Sequence, residues 1–81
     1  MKMAYVEWED AADIDDAPWA VHEDEGFTYT PVLVNQVGYL LYDGPEGVVL
    51  TSAYIEGGTV GCRTQIPRGM VRKMTVANTN D

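Results

Sequence analysis

The sequence predicts a mainly β fold, a small and strongly bent barrel of five or six short strands that forms one domain over residues 1–81. Two observations predict this. Short runs of β-branched and aromatic residues recur from position 27 almost to the end, and turn signals rich in Gly, Pro and Asn separate them. In addition, 81 residues are too few to build two hydrophobic cores.

The first strand is predicted over residues 3–8, MAYVEW, where Ala4, Val6 and Trp8 share one face. A long acidic loop, residues 10–26, follows it; the loop lacks strand alternation and has room for one helical turn, over residues 11–16. Trp19 lies in this loop. We expect its side chain to be buried against the domain, because a tryptophan in a loop gains most by burial.

The later strands are predicted over residues 27–34, 37–43, 48–55, 62–66 and 70–77. Asn35-Gln36 is expected to form a short turn, residues 43–47 and 56–61 to form hairpin loops, and residues 67–69 to form a one-turn break. Pro31 predicts a sheet edge or a bend, and Gly38 predicts a bulge or a bend. Residues 78–81 are expected to be a frayed tail.

Two predicted strands are apolar on both faces, in the runs LLY (40–42) and VVL (48–50). A solvated antiparallel sheet would alternate instead. Either neighbouring strands and the acidic loop wrap these strands, or their outer face is a subunit interface, and the two explanations are compatible. Cys62 is the one cysteine and cannot form an internal disulfide, so we expect self-association to support this small core.

The net charge of −8 is unevenly distributed. Residues 1–26 hold nine acids and one base, whereas residues 27–81 hold four acids and four bases. The overall acidity argues against binding of a long nucleic acid, whose phosphates demand cations. We expect the acidic loop to contact a basic surface, within the assembly or on another protein, through Asp13, Asp15, Asp16, Glu23, Asp24 and Glu25.

The motif order resembles that of SH3-like and Sm-like barrels, in which a single 3₁₀ turn precedes the last strand; residues 66–71, IPRGMV, correspond to that turn. The wider pattern resembles short proteins of tailed phages and prophages. Those proteins pair V-x-W-x-D-A (here residues 6–11) and a downstream tryptophan (Trp19) with V-G-W/Y-L (here 37–40) and a late I-P-R/K turn. The acidic insert between Asp10 and Phe27 departs from that pattern. The resemblance implies a phage origin and a barrel, and it implies no activity.

Residues suited to catalysis or metal binding are sparse. His22 is the one histidine, and nothing nearby pairs it with Cys62, which we expect to be a small buried strand residue. Asp13, Asp15 and Asp16 begin like a calcium loop, but Ala17 and Pro18 follow and the match is poor. Loops that cradle phosphate lack their lysine and helix. The sequence therefore predicts neither an enzyme nor a cofactor.

Basic side chains are concentrated in residues 63–73. One interpretation is that Arg63, Arg68 and Arg72 pair with the acidic loop of this chain or of a neighbouring subunit. The other is that they bind an anion such as a phosphate or a nucleotide, because guanidinium groups bind phosphate with two hydrogen bonds. With Trp19 and Tyr39, these arginines are the predicted ligand- or partner-binding residues.

The sequence thus predicts a non-catalytic binding module that self-associates and engages a host or viral protein. The alternative is a module that sequesters an anionic metabolite or signalling nucleotide at an arginine-lined subunit boundary. With no signal peptide and no apolar run of membrane-spanning length, the expected compartment is the cytoplasm, of a bacterial host if the chain is phage-encoded.

Overall fold

The computed structural model describes residues 1–12 and 29–79. They form one antiparallel sheet of five strands in the spatial order β4-β3-β2-β1-β5, which confirms the predicted mainly β class. A 3₁₀ turn precedes the last strand. In chain order the elements are β1 (Lys2–Asp10), β2 (Val32–Asp43), β3 (Gly47–Ile55), β4 (Thr59–Pro67), the 3₁₀ turn η1 (Arg68–Met70) and β5 (Val71–Asn78).

The sheet is open. Among the described residues β4 and β5 are its two edges and do not pair with each other, so the predicted strongly bent barrel is not closed. The sheet nevertheless curls. Val6 of β1 and Ile66 of β4 belong to one buried cluster although two strands separate β1 from β4 in the order.

The core lies on the inner face of this curled sheet. Its fully buried members come from β1, β3 and β4, and partly buried side chains of Trp8, Leu40, Val71 and Met74 pack against them. The buried members are Ala4, Val6, Val48, Leu50 and Ile66. Ala4, Val6 and Trp8 therefore share the inner face, as the alternation in MAYVEW predicts.

A chain of polar contacts crosses the inner face beside this core. The Trp8 indole Nε1–H donates to Gln36 Oε1 at 3.1 Å, and Gln36 Nε2 donates to Thr64 Oγ1 at 3.0 Å. These three residues lie on β1, β2 and β4, so the contact from Gln36 to Thr64 passes over β3. Such a reach requires the strong curl, and it gives the partly buried indole its hydrogen-bond acceptor.

The turn predicted at Asn35-Gln36 is wrong. Both residues lie inside the twelve-residue β2, paired with Glu7 and Val6 of β1. The physical reason is that β1 is long enough to hold them in the ladder, while their side chains gain cross-strand partners; Asn35 Oδ1 accepts the Tyr5 hydroxyl at 2.7 Å. The predicted strand over 27–34 is correspondingly short, because pairing begins at Val32.

The bulge in β2 lies at Leu41, three residues beyond Gly38. The register between β2 and β3 shifts between Leu40 and Tyr42. Gly38 has a different role. A Cβ built on it would lie 2.9 Å from the Thr51 carbonyl oxygen and 3.2 Å from Leu50 Cβ. The missing side chain lets the backbone of β3 approach β2 closely on the inner side of the curl.

The two predicted hairpins and the one-turn break are present. Residues 44–46 link β2 to β3, and residues 56–58 link β3 to β4, a loop shorter than predicted. Gly57 and Gly58 have φ of 104° and 105°, a backbone region that favours glycine. The last strand reaches Asn78, and the Thr79 amide donates to the Met1 carbonyl at 3.2 Å.

Two predictions for the acidic loop fall wholly or partly outside the described residues. Ala11 and Ala12 are not helical, and the rest of the predicted turn over 11–16 lies beyond them. Trp19 also lies outside. In the described ranges, no helix is long and apolar enough to cross a membrane.

Candidate functional site

Arg68 fastens the β2–β3 hairpin from the 3₁₀ turn. Its Nη2 donates to the Gly44 carbonyl at 2.6 Å and to the Gly47 carbonyl at 3.4 Å, its Nε donates to Gly44 at 3.2 Å, and it forms an ion pair with Asp43. The Arg68 amide donates to the Glu46 carbonyl at 3.0 Å. These contacts occupy the guanidinium with protein acceptors, so its geometry favours a structural role over phosphate binding.

Arg72 fastens the other end of the turn to β1. Its Nε and Nη2 donate to Glu9 Oε1 at 3.2 and 2.7 Å, and its Nη1 donates to the Gly69 carbonyl at 2.8 Å. The Tyr29 hydroxyl donates to Glu9 Oε2. The hydrogen bond from Tyr29, and then those from Arg72, lower the pKa of Glu9 and keep the carboxylate ionised.

Arg63 has a different environment from the other two arginines. It lies on the edge strand β4 opposite Thr51, its side chain is exposed, and it makes no ion pair within the described ranges. Among the described residues, the three guanidinium groups therefore share no binding partner. The acids that Arg68 and Arg72 contact, Asp43 and Glu9, both lie outside residues 10–26. The arginine-lined anion site stays a prediction, with Arg63 as the member best placed to meet a ligand.

The remaining predicted binding residues divide into one that the structure describes and several that it does not. Tyr39, half-buried on β2, packs edge to face against Tyr54 of β3, with ring centroids 4.8 Å apart and ring planes at 89°. This geometry is typical of a stabilising aromatic pair. Trp19 and the acidic contact residues lie outside the described ranges: Asp13, Asp15, Asp16, Glu23, Asp24 and Glu25.

Cys62 is not the buried strand residue that the sequence predicts. Its side chain is exposed on β4, and its φ is 53°, in the left-handed region that non-glycine residues rarely adopt. The preceding Gly61 carbonyl accepts hydrogen bonds from the Thr51 and Ser52 hydroxyls. Among the described residues, no three His, Cys, Asp or Glu side chains are close enough to hold a metal ion.

A shallow groove lies beside the β2–β3 hairpin, with a volume of about 290 Å³. The side chains of Tyr42 and Glu46 line it together with Val49, Gln65 and Pro67. The Tyr42 hydroxyl donates to Glu46 at 2.8 Å, which lowers the pKa of Glu46 and raises that of Tyr42. Typical small-molecule pockets are roughly 300–1,000 Å³. The groove is at or below the bottom of that range, and its open form disfavours tight enclosure of a ligand.

The surface that stands out is the outer face of β5, β1 and β2, opposite the core. Paired residues form three rows across these strands, and we call the nine residues the outer-face patch: Ala77, Met3 and Tyr39; Thr75, Tyr5 and Val37; Lys73, Glu7 and Asn35. Val37 is 60% exposed and Tyr5 38% exposed, and the neighbouring Leu33 is 48% exposed. Two of the nine positions carry a charge.

This patch only partly matches the predicted interface. The sequence places an interface on the strands over 37–42 and 48–55, yet Val48 and Leu50 are fully buried in the core. The β1 contribution was not predicted. Its signal was present in residues 3–8, where Met3 and Tyr5 make the face opposite Ala4 and Val6 unusually apolar for a solvated strand.

Comparisons with known proteins returned no match: no family model, no curated protein and no solved structure is significantly similar to this chain.

Proposed function

We propose that this protein is a non-catalytic binding module of SH3-like, phage type that self-associates and engages a second protein, of the host or of the virus. The observation that carries the proposal is the outer-face patch, where Tyr5 and Val37, paired on the neighbouring strands β1 and β2, expose apolar surface. Contiguous exposed apolar surface on a small soluble domain marks an interaction site.

Strand order supports the SH3-like part of this proposal. A meander of β1 to β4, with β5 returning to pair with β1, and a 3₁₀ turn at Arg68–Met70 immediately before β5, is the arrangement expected for such a domain. The Arg68 and Arg72 contacts hold this turn against the β2–β3 hairpin and β1. The phage origin rests on the sequence motifs alone.

Charge counting supports a basic partner. Residues 10–26 carry seven carboxylates and no base. Of the five bases in the chain, Arg68 and Arg72 are paired with Asp43 and Glu9, acids outside that segment. If all three remaining bases (Lys2, Arg63 and Lys73) neutralised the segment, four negative charges would still be uncompensated. A basic surface on another protein would supply the missing counter-charge and would be drawn in by the field of the segment.

Light scattering at micromolar concentration tests the self-association. We expect a species of twice the 8.9 kDa chain mass or more. A single species at the chain mass over the whole concentration range would refute that part of the proposal.

The partner contact is tested by replacing Asp13, Asp15 and Asp16 together with Asn. We expect this variant to keep its melting temperature and assembly. It should lose salt-sensitive crosslinks to basic host proteins that the unaltered chain forms at the same concentration. As a control, a variant with Glu56 replaced by Gln, which removes an exposed acid outside the segment, should keep the crosslinks. Equal crosslinking by the triple variant would exclude the segment as the contact.

A further inference from the structure

The outer-face patch has an unusual distribution of charge. The patch is charged at two of its nine positions, about the same share as the 22% of the whole chain, but its two charges, Glu7 and Lys73, have opposite signs, whereas the chain holds 13 acids and 5 bases. These two residues are directly opposite each other on the neighbouring strands β1 and β5. Their row lies next to the row that contains Tyr5 and Val37, so the patch is an apolar and aromatic area bordered by a pair of opposite charges.

Such a surface is complementary to itself. When two copies of a surface face each other across a two-fold axis, residue i of one copy meets residue j of the other, and j meets i. A pair of adjacent opposite charges then meets its own inverted image, which places each charge against its opposite. A strongly basic or strongly acidic partner would instead repel one of the two charges. The charge pattern therefore favours a second copy of this chain as the occupant.

We propose that two copies of this protein pack face to face through the outer-face patch, with Glu7 of each copy against Lys73 of the other. The inference rests on the proposed self-association and names its surface and symmetry. The two-fold axis that sets Glu7 against Lys73 runs along the strands between β1 and β5, so it also sets Tyr5 against Thr75 and Met3 against Ala77 of the other copy, in two sheets about 10 Å apart. The edges of both sheets and the segment 10–26 are then left for another partner.

A mixing experiment with charge reversals tests this arrangement. Glu7→Lys places two lysines against two lysines across the two-fold axis, and Lys73→Glu places two glutamates against two glutamates. We expect each variant alone to dimerise at least about tenfold more weakly than the unaltered chain, measured by sedimentation velocity. In a 1:1 mixture every contact between copies is again between opposite charges. The mixture should therefore recover a dissociation constant within about threefold of the unaltered chain.

The mixture distinguishes contacts between copies from contacts within one copy. Inside each variant chain, positions 7 and 73 still carry like charges, so a pair that acts within one chain is not repaired by mixing. Glu56→Lys, which makes the same charge change in the exposed β3–β4 turn, is the matched control and should leave the dissociation constant unchanged. Circular dichroism identifies any variant that fails to fold. Tyr5→Ser, a change on β1 in the row next to Glu7, then provides a second variant that should weaken the dimer.

Three results would overturn the inference. If the unaltered chain is monomeric, the proposed self-association fails and this inference fails with it. If the chain dimerises but the reversals and Tyr5→Ser leave the dimer intact, the function stands and the interface lies elsewhere, on a sheet edge or through residues 10–26. If both reversals weaken the dimer and the mixture does not recover, the Glu7–Lys73 contact acts within one chain, and the two-fold arrangement is wrong.

Discussion

Gly38→Ala should destabilise the protein, although alanine normally favours a strand over glycine. The new Cβ would lie 2.9 Å from the Thr51 carbonyl oxygen, closer than a carbon and an oxygen can pack, and 3.2 Å from Leu50 Cβ. The nearest atom belongs to the backbone of β3, so relief requires the strands to separate. Leu50 is buried in the core, so this movement would also loosen the packing around it.

Two opposing effects set the size of the change. Overpacking of a tight site costs about 1–3 kcal/mol, whereas removal of a strand glycine returns about 0.5–1 kcal/mol. The midpoints of these ranges leave a net loss of about 1 kcal/mol in the free energy of unfolding. For a domain of this size, each 1 kcal/mol corresponds to roughly 4–8 °C in melting temperature. Thermal unfolding followed by circular dichroism would measure it.

Gly69→Ala is the matched control, because a Cβ at Gly69 meets nothing within 4 Å. That variant should melt at or slightly above the temperature of the unaltered protein. If Gly38→Ala melts at or above the same temperature, β2 and β3 are not held at the close approach that the structure describes, and our explanation of the curl is wrong.

Three further predictions concern single side chains. Because the pKa of Glu9 is lowered in the fold, its contribution to stability is present above its unfolded pKa and is lost as pH falls through the folded pKa. Glu9→Gln should therefore melt at a lower temperature than the unaltered chain at pH 6, and the difference in melting temperature should shrink as the pH falls below the unfolded pKa of about 4.3; a difference that does not change with pH would contradict this. In chemical denaturation, the free energy of unfolding of Cys62→Gly should be higher than that of Cys62→Ala by up to about 1 kcal/mol, because a φ of 53° disfavours any side chain. Equal denaturation midpoints for the two variants would contradict backbone strain at this position. If Arg63 is part of an anion site, a nucleotide at 100 times its dissociation constant should add about 2.7 kcal/mol of stability, and Arg63→Ala should abolish that gain. In a thermal-shift screen we expect no nucleotide to raise the melting temperature.

The sequence carries enough information to predict the fold class and most of the turns. Alternation in MAYVEW identifies the inner face of β1, and the glycines at 57 and 58 identify a hairpin because their backbone conformation demands glycine. The turn predicted at Asn35-Gln36 was wrong because turn propensity is only a local preference. Pairing with β1 and the hydrogen bonds to Tyr5 and Trp8 are long-range effects that overrode it.

The arginine cluster shows why a site is harder to predict than a fold. Nearness in sequence suggested one patch, but η1 turns the chain between β4 and β5; Arg68 and Arg72 contact different partners, and Arg63 is exposed. Two of the acceptors that Arg68 contacts are the backbone carbonyls of Gly44 and Gly47, and composition cannot reveal a contact to the backbone. Conversely, the outer-face patch was hidden because its three strands are distant in sequence and become neighbours only when β5 pairs with β1.

The two proposed interactions should respond oppositely to salt, because they depend on different forces. The outer-face patch is mainly apolar and carries no net charge, so its association should persist or strengthen in 1 M sodium sulfate, a salt that favours apolar burial. Binding through the acidic segment depends on many exposed charges, and the screening length falls from about 10 Å at 0.1 M ionic strength to about 3 Å at 1 M. Raising sodium chloride from about 0.1 M to about 1 M should therefore release a basic partner while the dimer remains. If the dimer also dissociates in sodium chloride, ionic contacts hold the two copies together, and the apolar contact is not the basis of assembly.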